Sequence, residues 1–356
     1  LNRYPRVVID LHKVEMNTKL LVEKCSSNNL SIMGVTKAFC AEPRVVEAMV
    51  KGGISYIADS RIDNIKKVAE YQVPKVLLRL PMKSEIDDLV RLVDISLNSE
   101  IETIRAIDVA AGKLERIHKI ILMVELGDLR EGILPEDLRT VVDEVVKLDN
   151  ISLAGLGVNL TCYGGVIPSE GNLGELLNLA EVIKKEYGIN LEIISGGNSS
   201  SLYLIDEGRM PEGINNLRLG EAILLGRETA YGERVEGASS DSYVLEAEII
   251  ELKSKPSIPT GEIGMDAFGN KPQFEDRGVR RRAILAVGRQ DIDPDGLIPR
   301  DPNITVIGAS SDHLIMDVEE SENNYEIGDI LSFDLEYGAL LKAMTSNYIG
   351  KDFIEK

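Results

Sequence analysis

Ser31-Ile32-Met33-Gly34-Val35-Thr36-Lys37 is a short apolar run closed by a lysine, the pattern of a buried parallel strand with a charged residue where it ends. Comparable runs follow at 54–58, 75–80, 93–97, 119–126, 152–159, 191–195 and 214–219. Between them lie amphipathic segments, among them 42–51, 61–71, 100–114, 135–148 and 172–187, and Pro135 stands in a place suited to a first helical turn. Strands alternating with helices in this number predict an α/β fold: a closed (β/α)8 TIM-like barrel whose functional residues sit at the C-terminal ends of its strands. Past Tyr231-Gly232-Glu233 the pattern changes to strand-like runs and turns, at 243–253, 282–287, 304–307, 314–318 and 330–335. The expected division is residues 1–237 as the barrel and 238–356 as a mostly β C-terminal domain. Residues 1–10 precede the barrel and could pair with that second domain.

The length of 356 residues suits a large barrel plus a second domain of roughly a hundred residues. A formal net charge of -19 argues against nucleic acid or an anionic membrane as partner, since both need basic surface, and is compatible with a cationic substrate. Cys25, Cys40 and Cys162 are unevenly spaced, so neither a disulfide framework nor a metal site is expected, and the compartment should be reducing cytoplasm. The first ten residues lack a basic region followed by an apolar core, and no window approaches roughly 18 uninterrupted apolar residues, so neither export nor membrane anchoring is expected.

Lys37 is the first candidate for chemistry. A lysine at a barrel strand's end can form an imine with an aldehyde cofactor or carbonyl substrate, although a lysine after a strand is also an ordinary solvated charge. After the seventh run comes Ser195-Gly196-Gly197-Asn198-Ser199-Ser200-Ser201, which suits a phosphate. Its glycines let the backbone approach, its hydroxyls donate hydrogen bonds, and a helix N-terminus supplies oriented N–H groups. An ordinary loop with a serine N-cap reads the same way. Arg218-Leu219-Gly220-Glu221 follows the eighth run, and phosphate sites built by the loops after strands seven and eight are a habit of this barrel.

With these pieces in order, the chain resembles the alanine-racemase-like, fold type III family of pyridoxal phosphate enzymes, over nearly its whole length. The matching pieces are Val35-Thr36-Lys37-Ala38, Gly127-Asp128-Leu129-Arg130-Glu131-Gly132, Asn198-Ser199, Arg218-Leu219-Gly220 and Glu336-Tyr337. Asn159-Leu160-Thr161-Cys162-Tyr163-Gly164 and Gly226-Arg227-Glu228-Thr229-Ala230-Tyr231-Gly232 resemble members acting on basic amino acids, ornithine first. The resemblance implies pyridoxal 5'-phosphate as cofactor and racemisation by two-base proton transfer at the α-carbon. It also implies a homodimer in which each active site combines the barrel of one subunit with the β domain of the other.

Carried over residue by residue, the resemblance makes Lys37 the imine lysine and the base on one face. Ser199, Gly220 and Tyr337 then hold the phosphate, Asn198 binds the cofactor beside Ser199, and Asn159 packs beneath the pyridine ring where alanine racemases have histidine. Arg218 faces the pyridine nitrogen. A guanidinium, with a pKa above about 12, cannot protonate that nitrogen as a carboxylic acid would, which favours a short-lived carbanion and racemisation. The second base departs from the family pattern. Where alanine racemases use a partner tyrosine, Leu285-Ala286-Val287-Gly288-Arg289-Gln290-Asp291 offers Arg289, and the substitute expected here is His313, which titrates near neutrality. Asp312 is the candidate partner of a substrate's distal ammonium. Arg130 is a candidate for the substrate carboxylate, or orients a neighbour, or forms a surface ion pair with one of the acids beside it. The 264–270 loop has no assigned chemistry. Two alternatives stand beside racemisation: a basic amino-acid decarboxylase of the same fold, disfavoured because those enzymes have glutamate where Arg218 stands, and a single-domain cofactor carrier, disfavoured by the C-terminal extension.

Overall fold

The computed structural model of the protein describes residues 3–355. It falls into two compact units, Leu11–Ser240 and the N-terminal strand up to Asp10 taken with the chain from Asp241. The division thus lies a few residues beyond the expected 237.

Strand β1 (Arg6–Asp10) belongs to the second unit, and helix α1 (Leu11–Ser26) opens the first. The first unit then alternates β2 (Ser31–Val35), α2 (Pro43–Lys51), β3 (Tyr56–Asp59), α3 (Ile62–Lys67), β4 (Lys75–Leu77), α4 (Ile86–Leu92), β5 (Ile95–Asn98) and α5 (Ile101–Lys113). It continues through β6 (His118–Val124), α6 (Leu138–Val145), β7 (Ile151–Val158), α7 (Glu170–Tyr187), β8 (Ile193–Ser195), α8 (Leu202–Asp206), β9 (Asn216–Leu219) and α9 (Glu221–Leu225). Strands β2 to β9 form a closed barrel of parallel neighbours, sealed by β2 against β9. The expected fold class is borne out.

Alternation along the strands explains why one chain covers both faces. Met33, Val35, Ala58, Val76, Ile95, Leu97, Ile121, Met123 and Ile193 form one cluster, drawn from every second position of successive strands. Ile62, Ile65, Leu77, Leu89, Val90, Ile107 and Ala111 belong to another, built largely from the helices outside. The strands are buried on both faces and therefore read as nearly continuous apolar runs. In β7 the register slips against β6 between Ile120 and Ile121, and a Cβ at Gly155 would lie 2.1 Å from the Ile193 carbonyl oxygen, so only glycine fits there.

Helix limits differ from the sequence expectation for local reasons. α7 starts at Glu170 because Ser169 accepts the Asn172 N–H while the Asn172 side chain accepts the Ser169 N–H, a reciprocal cap. Pro135 lies in turns that precede α6, where Asp137 N–H donates to Leu134 and Leu138 N–H to Pro135. α3 ends at Lys67, followed by tight turns, and the Tyr71 hydroxyl, beyond that helix, donates to the Pro43 carbonyl at 3.0 Å.

The second unit contains β10 (Tyr243–Pro256), β11 (Val279–Leu285), β12 (Leu297–Pro299), β13 (Thr305–Ala309), β14 (Leu314–Asp317), β15 (Ile330–Leu335), α10 (Tyr337–Thr345) and β16 (Gly350–Ile354). The main strand order is β12-β15-β10-β11-β14-β13. β1 runs antiparallel to β10 and parallel to β16. Long β10 changes partners along its length, with a register irregularity between Ile249 and Glu251 where its pairing with β11 begins. Its first half alternates buried Tyr243, Leu245, Ala247 and Ile249 with less buried residues, as a strand with one face on a core should.

One buried histidine carries a pH consequence. His118 opens β6 at 4% exposure, with Nε2 2.9 Å from Ser96 Oγ, and burial pushes its pKa down to about 4. An unfolded histidine titrates near 6.5, so the unfolded chain takes the proton first as pH falls. The resulting stability is complete above about pH 6.5 and is lost between there and about pH 4, on the order of 3 kcal/mol. Urea unfolding across that window should show a shallower acid loss for His118→Gln than for the wild type; equal slopes would remove His118 as the cause.

Candidate active site

The lysine is placed by its neighbours. Beyond β2, Thr36 donates its N–H to the Ala58 carbonyl at 2.9 Å and its hydroxyl to Asp59 Oδ2 at 2.6 Å. Asp59, at the end of β3 and fully buried, also accepts from the Arg61 N–H at 2.9 Å and Asn64 Nδ2 at 3.0 Å. Burial raises its pKa, although these hydrogen bonds oppose the shift. Lys37 then begins a single tight turn to Phe39, after which Cys40 and Ala41 take left-handed backbone angles, φ 56° and 48°. For residues with a Cβ that conformation is held at some cost, here by buried Phe39 and Ala41 and by Lys67 Nζ donating to the Cys40 carbonyl at 2.8 Å.

Solvent reaches Lys37, yet protein crowds its amine closely enough that desolvation lowers its pKa. Arg130 and Arg218 push in the same direction, while Cys162 and Asp59 oppose. Among the described residues no carboxylate forms an ion pair with it. An amine so placed is partly neutral at lower pH than an ordinary lysine, which a nucleophile or base requires.

Arg218 stands inside the barrel on β9, 4% exposed. Its Nη1 donates to Ser195 Oγ at 2.6 Å, and its Nη2 to the Val158 carbonyl at 2.7 Å and Asn159 Oδ1 at 2.5 Å. Burial lowers its pKa to about 10, so it remains a cation near neutrality. The row continues on both sides. Ser195 Oγ donates to Asn216 Oδ1 at 2.8 Å, and Asn216 Nδ2 donates to Ser31 Oγ at 3.0 Å. In the other direction Asn159 Nδ2 donates to the Glu131 carboxylate, which also accepts from Arg130, through Nη2 at 2.6 Å.

The small-residue loop after β8 turns at Gly197, φ +108°, and enters a single tight turn over Ser199–Ser201 before α8. Both ends of the Asn198 amide are engaged: Oδ1 accepts the Ser200 N–H at 2.8 Å, and Nδ2 donates to the Leu160 carbonyl at 2.9 Å and lies 3.3 Å from Cys162 Sγ. Ser199 Oγ accepts the Ala222 N–H at 3.2 Å, tying this loop to the one after β9. A Cβ on Gly220 would stand 3.1 Å from Val35 Cβ, so the segments bearing Lys37, Ser199 and Gly220 converge. Ser200 Oγ is buried and has no hydrogen-bond partner among the described residues.

These features fit a phosphorylated aldehyde. Lys37, Arg130 and Arg218 are cations gathered at one barrel end, two adjoining loops offer hydroxyls and close backbone, and the lysine amine has no anionic partner among the described residues. Pyridoxal phosphate would match that donor set.

The barrel unit therefore brings together Lys37, Arg130, Asn159, Asn198, Ser199, Arg218 and Gly220. Arg130 pairs with Glu131, while Asp128, the other acid beside it, accepts from the Cys162, Tyr163 and Val166 N–H groups and so fixes the loop after β7. The sequence reading named these acids only as possible ion-pair partners of Arg130, which Glu131 is, and gave neither a role in the site. A glutamate after an arginine has no diagnostic spacing, and its asparagine partner lies on a different loop.

Tyr337, Asp312 and His313 belong to the second unit. Tyr337 opens α10. His313 Nδ1 lies 2.8 Å from Asp312 Oδ1, and that contact holds the Asp312 carboxyl below its usual range. Both side chains are open to solvent, at 45% and 71%. A Cβ on Gly288 would stand 2.4 Å from the Asp312 nitrogen, so the Arg289 segment packs directly on this turn. The Arg289 guanidinium lies 5.3 Å from the centroid of the Phe268 ring, which places the 264–270 loop against it. Within that loop, Asp266 Oδ1 accepts the Phe268 and Asn270 N–H groups.

Comparison with known proteins gives the family. The family model "Alanine racemase, N-terminal domain" matches residues 9–228. An ornithine racemase from Acetoanaerobium sticklandii is 50% identical over 352 residues, 99% of this chain and 100% of the relative. A lysine racemase from Thermotoga maritima is 42% identical over 350 residues, 98% of each chain. Among solved structures, alanine racemase from D-cycloserine-producing Streptomyces lavendulae aligns with TM-score 0.77 at 16% identity, covering 100% of this chain and 98% of that one. A D-threonine aldolase from Filomicrobium marinum aligns with TM-score 0.73 at 14% identity, covering 96% and 88%. At such identities the structural likeness is one of fold. The family match covers more than half of the chain and both relatives align along nearly all of it, which bears out the resemblance seen in short motifs: the chain belongs to the alanine racemase family.

Proposed function

We propose that this protein is a pyridoxal phosphate-dependent amino-acid racemase that interconverts L- and D-ornithine, working as a cytoplasmic homodimer with shared active sites. The observation that carries the substrate is the 50% identity, over nearly the full chain, to an ornithine racemase. The 42% identical lysine racemase makes lysine the first competitor to test.

The bound cofactor would supply an aldehyde for the lysine amine and an electron-withdrawing ring. The chain's own residues do the rest. Lys37, kept partly neutral by desolvation, takes or returns a proton at the substrate's α-carbon on one face. Ser199, Gly220, Tyr337 and the loop around Asn198 hold the phosphate, and Asn159 supports the ring. Arg218 faces the ring nitrogen as a donor-only group. Having no proton to give, it would leave that nitrogen unprotonated when the cofactor is bound, which would favour racemisation over decarboxylation. His313 serves the opposite face, Asp312 meets the distal ammonium, and Arg130 orients the substrate carboxylate. The second unit also speaks against a single-domain carrier.

The test is chiral chromatography of the protein with pyridoxal phosphate and L-ornithine, L-lysine or L-alanine, with carbon dioxide release followed. D-ornithine without carbon dioxide is expected; D-alanine alone, or carbon dioxide, would move the assignment elsewhere. Lys37→Ala should abolish the visible absorbance of bound cofactor and lower racemisation by at least about a thousandfold. A normal visible band in that variant would remove Lys37 from its role. Asp312→Ala should lower kcat/KM for ornithine by about tenfold or more while the cofactor band persists. Loss of cofactor in equal measure would make Asp312 a structural residue.

A further inference from the structure

The roles above leave unused a charged group that joins two of the residues of the barrel mouth. Glu131, in the loop after β6, has a side chain only 12% exposed and accepts hydrogen bonds from Arg130 on one side and Asn159 on the other. Asn159 passes the contact to Arg218 at 2.5 Å. The order of atoms in this row is forced. An ionised carboxylate only accepts and a guanidinium only donates, so the amide between them must turn Nδ2 to Glu131 and Oδ1 to Arg218. Flipped, it would set oxygen against oxygen and N–H against N–H.

The charge balance points the same way. Lys37, Arg130 and Arg218 are three cations that act on one another electrostatically. The other ionisable neighbours are the Cys162 thiol and Asp59, and Asp59 is engaged by Thr36, Arg61 and Asn64. Among the described residues Glu131 is the carboxylate joined to the Arg130–Asn159–Arg218 row.

Resting on the functional reading above, we infer that Glu131 is a positioning residue of this racemase: acting through Asn159, it orients the Arg218 guanidinium and supplies the negative charge that balances the cations around the cofactor's ring. The residue touches neither reacting atom. Its effect reaches the ring through the amide, and reaches Lys37 as a field. Removing the charge disfavours any cation held on the Lys37 nitrogen, so a proton there is lost at lower pH.

The test compares wild type with Glu131→Gln, which keeps shape without charge, and Glu131→Asp, which keeps charge on a shorter arm. Three quantities are read: apoprotein melting temperature, pyridoxal phosphate affinity by absorbance titration, and the pH midpoint of the bound cofactor's visible band. For Glu131→Gln the melting temperature should stay within about 2 °C of wild type. Its cofactor affinity should fall about tenfold and the midpoint drop by about one pH unit, with part of both recovered in Glu131→Asp. Unchanged affinity and midpoint in Glu131→Gln, or a Glu131→Asp protein as impaired as Glu131→Gln, would overturn the inference. If Glu131→Gln does not fold, Glu131→Ala, which also removes the charge, takes its place: a midpoint about one pH unit lower supports the coupling and an unchanged midpoint overturns it. A wild-type protein that takes up no pyridoxal phosphate overturns the functional reading and this inference with it. A wild type that binds it, with Glu131→Gln indistinguishable, overturns the inference alone.

Discussion

The parallel pairing of β2 with β9, from Ser31 opposite Asn216 to Gly34 opposite Leu219, closes the barrel and sets everything at its mouth. Closure removes both free edges of the sheet and satisfies their backbone donors and acceptors at once. It also fixes which side chains face inward. Met33 lies opposite Arg218, and Met33 belongs to the apolar layer inside the ring, so Arg218 enters that layer too. A register slip by one residue would send the guanidinium to the other face. The same closure brings the end of β2, with Lys37 beyond it, alongside the strand that carries Arg218.

An arginine in an apolar barrel is tolerable only when its donors are met, since an unpaired buried charge is far more destabilising than a paired one is stabilising. Arg218 meets a hydroxyl from β8 and, from two adjacent residues at the end of β7, a backbone carbonyl and an amide. Asp59 solves the matching problem for a buried carboxyl with a hydroxyl, an amide and a backbone N–H. Apart from Ser200 Oγ, the polar groups described for the mouth thus form a hydrogen-bonded lattice around Lys37, whose own amine has no anionic partner among the described residues. Rigidity lies in the surroundings, and the reactive group is the one left available.

Much of the fold was legible in the sequence because parallel barrel strands are buried on both faces and read as apolar runs even when as short as Ile193–Ser195. Boundaries were less so. Ser169 and Asn172 cap each other across a helix start that apolar periodicity alone sets at Asn172. Strands β12 and β16 are short and only partly buried, and α10 follows β15 with only Glu336 between, so none announces itself by pattern. In the site, Lys37, Ser199, Gly220 and Arg218 stood at strand ends, where barrel geometry concentrates chemistry. Glu131 and the contact between Phe268 and Arg289 depend on which loops meet, and no spacing along the chain encodes that. Whether His313 or another group faces Lys37 across a substrate was equally beyond local pattern.

Strand β1 carries a consequence of another kind. Arg6 lies opposite Glu246 on one side and Gly350 on the other, so a strand made before the barrel is sandwiched between partners made only after it. The barrel needs nothing beyond β9 to close, and α1 follows β1 directly. During synthesis, then, the barrel can be complete while β1 still waits with its hydrogen bonds unmet, and the second sheet is complete only after residue 354 emerges.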